Sequence, residues 1–235
     1  MNRPDLSLLD EDQLAAATAP RGPVCILAGA GTGKTRTVTY RIANMVDQGF
    51  ASPQRILAVT FTTRAAGEMR DRLNHMGVGG VQALTFHAAA RRQLRYFWPQ
   101  VAGDLPWELV DNKFSLVARA VRSLNLDNSK DSIRDYLSEI EWAKSSLVGP
   151  DSYPEVIATT DREAPAEPAK VAEVFRRYEQ LKSTPDRMFL DFDDLLMHIA
   201  GAIENVPSVA EVFREQYRTF VVDEYQDVTP LQQRV

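Results

Sequence analysis

The sequence predicts an α/β fold: a parallel sheet flanked by helices, interrupted by an all-helical insertion. Three observations carry this. Apolar runs with β-branched residues, bounded by turn residues, occur at Val24 to Ala28, Ile56 to Phe61, Val81 to Thr85 and Phe220 to Val222, the pattern of buried parallel strands. Helical periodicity fills the intervals between the first three runs. From about residue 88 to 187 the strand texture stops and only helical segments follow.

The first run, Val24-Cys25-Ile26-Leu27-Ala28, reads as a buried strand with Cys25 inside it. A helix then extends from Lys34 to about Asp47, with Val38, Ile42, Met45 and Val46 on one face and a stop at Gly49. After the run at 56–61, a second helix covers Arg64 to about His75 and ends in the glycine-rich turn Gly77 to Gly80. The central stretch predicts helices at Ala88 to Trp98, Asn112 to Leu124, Ser132 to Ser145 and Lys170 to Lys182. Pro165 and Pro168, amid small and charged residues, mark an exposed loop over Thr159 to Pro168. A helix from about Asp191 to Ile203 and the run Phe220 to Val222 return the chain to strand texture. Residues 1–90 and 188–235 are thus expected to form one discontinuous α/β domain around an insertion at 91–187.

Composition agrees with a globular protein: 235 residues, 44% hydrophobic and 25% charged. No stretch approaches the ~18 apolar residues of a membrane span, and the N-terminus lacks a signal-peptide core. A cytoplasmic protein without a membrane partner is expected. One cysteine excludes a disulfide framework and a cysteine-based metal site. The net charge of −5 is uneven. Residues 1–90 hold 9 Lys/Arg against 7 Asp/Glu, residues 91–187 hold 15 against 16, and residues 188–235 hold 3 against 9. Nucleic-acid binding depends on the local field, so this balance does not exclude it.

Residues 28–35 read A-G-A-G-T-G-K-T, after a predicted strand and before a predicted helix, the context of a phosphate-binding P-loop. Gly29, Gly31 and Gly33 permit close backbone approach, so amides from Ala28 through Thr32 and the helix start can cradle phosphate oxygens. Ala28 stands where the strict pattern has glycine. Lys34 is placed to neutralise the β- and γ-phosphates and Thr35 to ligate Mg²⁺. Asp223-Glu224 follows the run Phe220 to Val222. A carboxylate at Asp223 suits Mg²⁺, and Glu224 suits orientation or deprotonation of an attacking water.

With these residues in order, D-E-Y-Q-D at 223–227 resembles motif II of the UvrD/Rep/PcrA-type superfamily 1 DNA helicases, and the insertion looks most like that of the actinobacterial UvrD-type enzymes. The resemblance implies a P-loop NTPase (RecA-like) motor domain 1A at 1–90 and 188–235, and a domain 1B at 91–187. Leu9-Asp10 and Gln13 resemble the family's Q motif, implying that Gln13 reads adenine. Arg36 matches an arginine that packs on the adenine ring. T-F-T-T-R-A-A-G-E-M at 60–69 resembles motif Ia, implying DNA contacts from Phe61, Thr62 and Arg64, although Thr63-Arg64 stands where many relatives carry Asn-Lys. Thr85-Phe86-His87 resembles the T-F-H motif, implying contacts of Thr85 and His87 with the DNA backbone. Phe192-Asp193-Asp194-Leu195-Leu196 matches the segment after the insertion, with a packing and coupling role. ATP and Mg²⁺ are the implied cofactors. Single-stranded DNA, junctions of single- and double-stranded DNA, and a second RecA-like domain are the implied partners.

The implied function is the ATP-binding portion of an ATP-dependent 3′-to-5′ DNA helicase. The alternative is a non-catalytic ATP- or DNA-binding truncated module or accessory subunit. The family's γ-phosphate-sensing glutamine and arginine fingers lie beyond motif II, so residues 1–235 alone are expected to bind nucleotide, hydrolyse it slowly and not unwind DNA.

Overall fold

Five consecutive buried residues, Ile56 to Thr60, form the middle strand of a parallel sheet. The computed structural model describes residues 4–29 and 31–235. In chain order the elements begin with α1 (Glu11–Thr18), α2 (Lys34–Asp47), β1 (Ile56–Thr60), α3 (Thr63–His75), β2 (Gln82–Thr85) and α4 (Phe86–Ala102). They continue with β3 (Trp107–Leu109), α5 (Lys113–Ser123), α6 (Lys130–Ser145), α7 (Tyr153–Ala158), α8 (Pro168–Leu181), β4 (Ser183–Thr184) and β5 (Arg187–Leu190). The last are α9 (Phe192–Asn205), α10 (Pro207–Gln216), β6 (Thr219–Val222) and α11 (Pro230–Arg234). By packing, the chain divides into Met1–Ala89 with Ile203–Asp227, and Ala90–Ala202 with Val228–Val235.

In the first unit the sheet order is β2-β1-β6, all parallel. Register pairs Thr60 with Thr85 and Val59 with Val222, so all three strands end at one edge. That carboxyl edge is where open α/β sheets collect their ligands. Ile42, Ala43 and Val46 of α2 and Met69 and Leu73 of α3 pack with Ile56, Ala58 and Ala83 in one buried cluster. Parallel strands covered by helices were expected, and the periodicity that predicted α2 and α3 is the periodicity that buries them.

The expected strand at Val24 to Ala28 is corrected by the structure. Among the described residues the sheet has three strands and this segment is not one of them. Leu27 is 92% exposed and Cys25 is exposed rather than buried. Strand propensity becomes a strand only where a neighbour takes the main-chain hydrogen bonds and covers the side chains, and neither condition holds here. The same cause corrects the reading of Phe220 as buried: β6 lies at the sheet edge and Phe220 is 53% exposed.

The second unit corrects the all-helical insertion. Helices α5 to α8 do dominate it, and Val117, Val121, Ile140, Tyr153, Phe175 and Tyr178 fill its core. Yet β3, β5 and β4 form a small sheet, with β3 parallel and β4 antiparallel to β5. Strands of two to four residues carry too few alternations for a period of two to register in the sequence.

A buried ion cluster ties this unit together. Lys144 Nζ of α6 lies 2.7 Å from Asp191 Oδ2 and 3.1 Å from Glu179 Oε1, and also bonds Asp194. Lys182 Nζ lies 2.6 Å from Asp194 Oδ2 and 3.1 Å from Asp191 Oδ2. The Tyr178 hydroxyl donates to Asp191 at 2.8 Å. Asp191 and Asp194 also cap the start of α9 reciprocally: Asp194 N donates to Asp191 Oδ1 at 3.0 Å and Asp191 N to Asp194 Oδ2 at 2.8 Å. Glu179, Asp191 and Asp194 are grouped closely enough to hold a cation, and two lysine ammonium groups already supply the positive charge. Among the described residues no helix is long and apolar enough to cross a membrane.

Candidate functional site

The loop before α2 turns on glycine. Gly31 and Gly33 adopt φ of +77° and +85°, a region that a Cβ disfavours. A Cβ on Gly33 would also lie 3.0 Å from Gln13 Nε2. Gly33 is the N-cap of α2 and no side chain caps that end, which leaves the first-turn amides as donors for an anion. The Thr32 hydroxyl donates to Gly29 O at 2.8 Å and closes the turn within the loop. Ala30, one of the expected phosphate-cradling residues, lies outside the described residues. Ala28 and Gly29 are exposed.

Residues far apart in sequence meet at this loop. Lys34 Nζ lies 2.9 Å from Glu224 Oε2, and Thr35 Oγ1 donates to Asp223 Oδ2 at 3.2 Å. These pairs span 190 and 188 positions. They form because β6 delivers Asp223 to the carboxyl edge, with Asp223 N bonding Val59 O of β1 at 3.0 Å. Asp223 is buried, and its second oxygen accepts from Glu224 N at 3.1 Å. Glu224 adopts φ of +54°, a strained conformation for a residue with a side chain and one that concentrates at functional sites. Hydrogen bonds from Gln226 and then Lys34 hold its carboxyl below the usual glutamate value.

Gln13 and Arg36 also reach the loop. Gln13 Nε2 donates to Thr32 O at 3.0 Å, while Asp10 caps α1 by accepting from Gln13 N at 2.8 Å. Arg36 donates to Leu8 O at 2.7 Å and its guanidinium lies 5.7 Å from the centroid of the Tyr40 ring. A cavity of 630 Å³ opens here, lined by Gly29, Gly31, Gly33, Lys34, Thr35, Arg36 and Glu224. Thr39 and Tyr40 of α2, and Arg72, His75 and Met76 at the end of α3, line it too. Sequence reasoning assigned these five no role. Their signal was spacing: 36, 39 and 40 share one face of α2, and 72, 75 and 76 share one face of α3.

The residues matched to DNA-contact motifs occupy the ends of β1 and β2. The Phe61 and Phe86 rings lie 5.7 Å apart and are tilted by 57°. Phe61 is half-buried, while Thr62 and Arg64 are exposed. The Thr62 hydroxyl caps α3 by accepting from Ala65 N at 3.1 Å, and the Thr85 hydroxyl accepts from Ala88 N at the same distance. Each hydroxyl keeps its own proton to donate elsewhere. Arg64 pairs with Glu68 at 2.9 Å, an exposed pair that contributes little to stability. His87 is half-buried at the start of α4. Phe61, Thr62, Thr85 and Asp223 thus share the carboxyl edge of one sheet, because β1, β2 and β6 are in parallel register.

Comparison with known proteins agrees with this arrangement. A family profile described as UvrD/REP helicase N-terminal domain matches residues 9–235. The chain is 57% identical over 241 aligned residues to the ATP-dependent DNA helicase UvrD2 of Mycobacterium tuberculosis, covering 99% of this chain and 34% of that protein. It is 34% identical over 231 residues to the ATP-dependent DNA helicase PcrA of Leuconostoc citreum, covering 95% of this chain and 30% of that protein. PcrA of Staphylococcus aureus is 32% identical over 233 residues, covering 97% of this chain and 31% of that protein. The chain therefore spans about a third of the length of these relatives. With a profile match over nearly its whole length, and with the loop and the Asp-Glu pair in contact, this chain belongs to the UvrD/REP helicase N-terminal domain family.

Proposed function

We propose that this chain is the ATP-binding portion of an ATP-dependent 3′-to-5′ DNA helicase, acting on single-stranded DNA and its junctions with duplex. The observation that carries the reading is the convergence of Lys34 and Thr35 on Glu224 and Asp223. The names of the relatives support it. Residues 1–90 and 188–235 correspond in this reading to a RecA-like motor domain, 1A, and 91–187 to domain 1B. The protein works in the cytoplasm, and a second RecA-like domain closes the site.

The residues present fit a nucleotide with Mg²⁺. Amides of Gly29 to Lys34, Ala30 included, and the N-terminus of α2 bind the phosphates. Lys34 leaves Glu224 for the β- and γ-phosphates when nucleotide enters, which frees the Glu224 carboxylate for water. Thr35 and Asp223, whose oxygens lie 3.2 Å apart at the loop, would hold the Mg²⁺. When bound there, Mg²⁺ would supply charge neutralisation for the phosphates. Gln13 and Arg36 recognise the adenine. Phe61, Thr62, Arg64, Thr85 and His87 contact the DNA strand, with Phe61 stacking on a base.

Lys34→Ala is expected to weaken a fluorescent ATP analogue on the order of a hundredfold, from a lost charge-assisted contact of up to about 3 kcal/mol. Gly33→Ala is expected to weaken it about tenfold, because the left-handed backbone costs about 1–2 kcal/mol for a residue with a Cβ. Titration of both variants by anisotropy checks this, and unchanged affinity in Lys34→Ala would sink the phosphate-loop assignment. ATPase assays with and without single-stranded DNA, on this chain and on one extended through the following domain, test the motor. DNA-stimulated turnover by the extended chain supports the helicase. Binding without any turnover in either favours the non-catalytic module.

A further inference from the structure

Helix α4 divides cleanly by burial. Gln93, Leu94, Phe97 and Trp98 are buried, while Arg91, Arg92, Arg95 and Tyr96 are exposed. At 100° per residue the exposed four span one arc of the helix and the buried four the opposite arc. The helix contains no acidic residue between Phe86 and Ala102. Elsewhere in the second unit Arg134 pairs with Asp131, Arg176 with Asp151 and Arg187 with Glu108, whereas Arg119 and Arg122 of α5 are exposed without an ion pair among the described residues. Arg91, Arg92 and Arg95 have no ion pair among the described residues. Tyr96 is 66% exposed, and its ring rests edge-on against buried Phe97 with centroids 4.9 Å apart.

We propose that the exposed face of α4, formed by Arg91, Arg92, Arg95 and Tyr96, is a binding strip for a single polynucleotide strand. The chemistry is that of a sequence-tolerant site: guanidinium groups for phosphates and a braced aromatic ring for one base face. Arg91 and Arg95 are one turn apart, about 6 Å along the axis, comparable to the separation of neighbouring phosphates in an extended strand. Three unpaired cations on an acid-free helix form a local positive field within a chain of net charge −5, the condition under which binding proceeds against the overall charge. The exposed apolar neighbours of Tyr96 on this arc are only the small Ala88 and Pro99, too little surface for a hydrophobic patch, so a tyrosine flanked by arginines serves a base better than an apolar partner. The inference rests on the DNA-binding reading above and adds to it a strip that no matched motif includes.

The test measures anisotropy of a labelled oligothymidine with the intact protein across salt concentrations. The charge variant combines Arg91→Gln, Arg92→Gln and Arg95→Gln, and the stacking variant is Tyr96→Ala. All four side chains face solvent, and binding of the fluorescent ATP analogue checks that each variant is folded. The charge variant is expected to reduce the slope of log affinity against log salt by about 2, three phosphate contacts at ~0.7 each. Its affinity at low salt should fall about 10- to 100-fold. Tyr96→Ala is expected to lower affinity about tenfold with the slope unchanged. Wild-type binding with an unaltered slope in the charge variant overturns the strip and leaves the DNA-binding reading standing. No oligonucleotide binding by wild type overturns both. Equal competition by polyglutamate at matched charge identifies an acidic protein as the occupant and also overturns the strip.

Discussion

Glu224→Gln lowers DNA-stimulated ATP turnover by about 10²- to 10⁴-fold in the chain extended through the following domain, the range for removal of a general base, and leaves nucleotide affinity within severalfold of wild type. Glutamine keeps the volume and the carbonyl oxygen that accepts from Lys34 and Gln226, so the loop keeps its shape. What it loses is the ability to take a proton. In the free protein hydrogen bonds from Gln226 and Lys34 hold the carboxyl below its usual value, so Glu224 is a carboxylate at neutral pH. Its φ of +54° aims the side chain back toward the loop. Single-turnover hydrolysis beside an equilibrium titration separates the two quantities. Turnover within threefold of wild type would remove Glu224 from the chemistry, whereas equal losses in binding and turnover would make it a structural partner of Lys34.

Lys144→Met destabilises the chain by about 3–5 kcal/mol, the cost of leaving buried charge without its partner. Lys144 and Lys182 face Glu179, Asp191 and Asp194, and all but Glu179 are buried. Removing one ammonium leaves three carboxylates around a single cation. Burial by itself would raise the Asp191 carboxyl, but Lys144 and then Lys182 overcome that and hold it far below the usual carboxylate range. Burial would likewise lower Lys144, and Asp191, Asp194 and Glu179 instead raise it above the usual lysine range. Stability from the depressed Asp191 is present above the unfolded aspartate value near pH ~4 and is lost as pH falls through the folded one. Stability from the raised Lys144 is present below about pH 10 and is lost only as pH rises through its folded value. Urea denaturation at neutral pH reads the loss directly. A change below about 1 kcal/mol would mean that water reaches the cluster. In a double-mutant cycle, Lys144→Met with Asp194→Asn should show coupling above about 1 kcal/mol.

The ion cluster also marks where sequence reading ran short. Phe192-Asp193-Asp194-Leu195-Leu196 carried the resemblance, and Leu195 and Leu196 are buried. The residue that organises the segment is Asp191, one position earlier, and its signal was the Asp-x-x-Asp spacing of a reciprocal cap before an apolar run. The lysines were out of reach, because Lys144 and Asp194 are 50 positions apart and no local pattern pairs them. Tyr40, Arg72 and His75 escaped for the same reason: each is an ordinary helix residue until two helices bring one face of each to the same cavity.

By itself the sequence determined what short-range physics encodes. It contained the glycines that need positive φ, the 3.6-residue periodicity of α2 and α3, the β-branched runs of β1 and β2, and the motifs that place this chain in its family. Tertiary structure alone decided which elements found partners. Val24 to Ala28 has the composition of a strand and is not in the sheet, Cys25 is exposed, and three strands too short to announce themselves form a second sheet. It also brought Lys34 and Thr35 to Glu224 and Asp223 across some 190 positions. The physical reason is that propensity belongs to a residue and its near neighbours, whereas hydrogen-bond pairing, burial and charge contact belong to groups that meet only when the chain has folded.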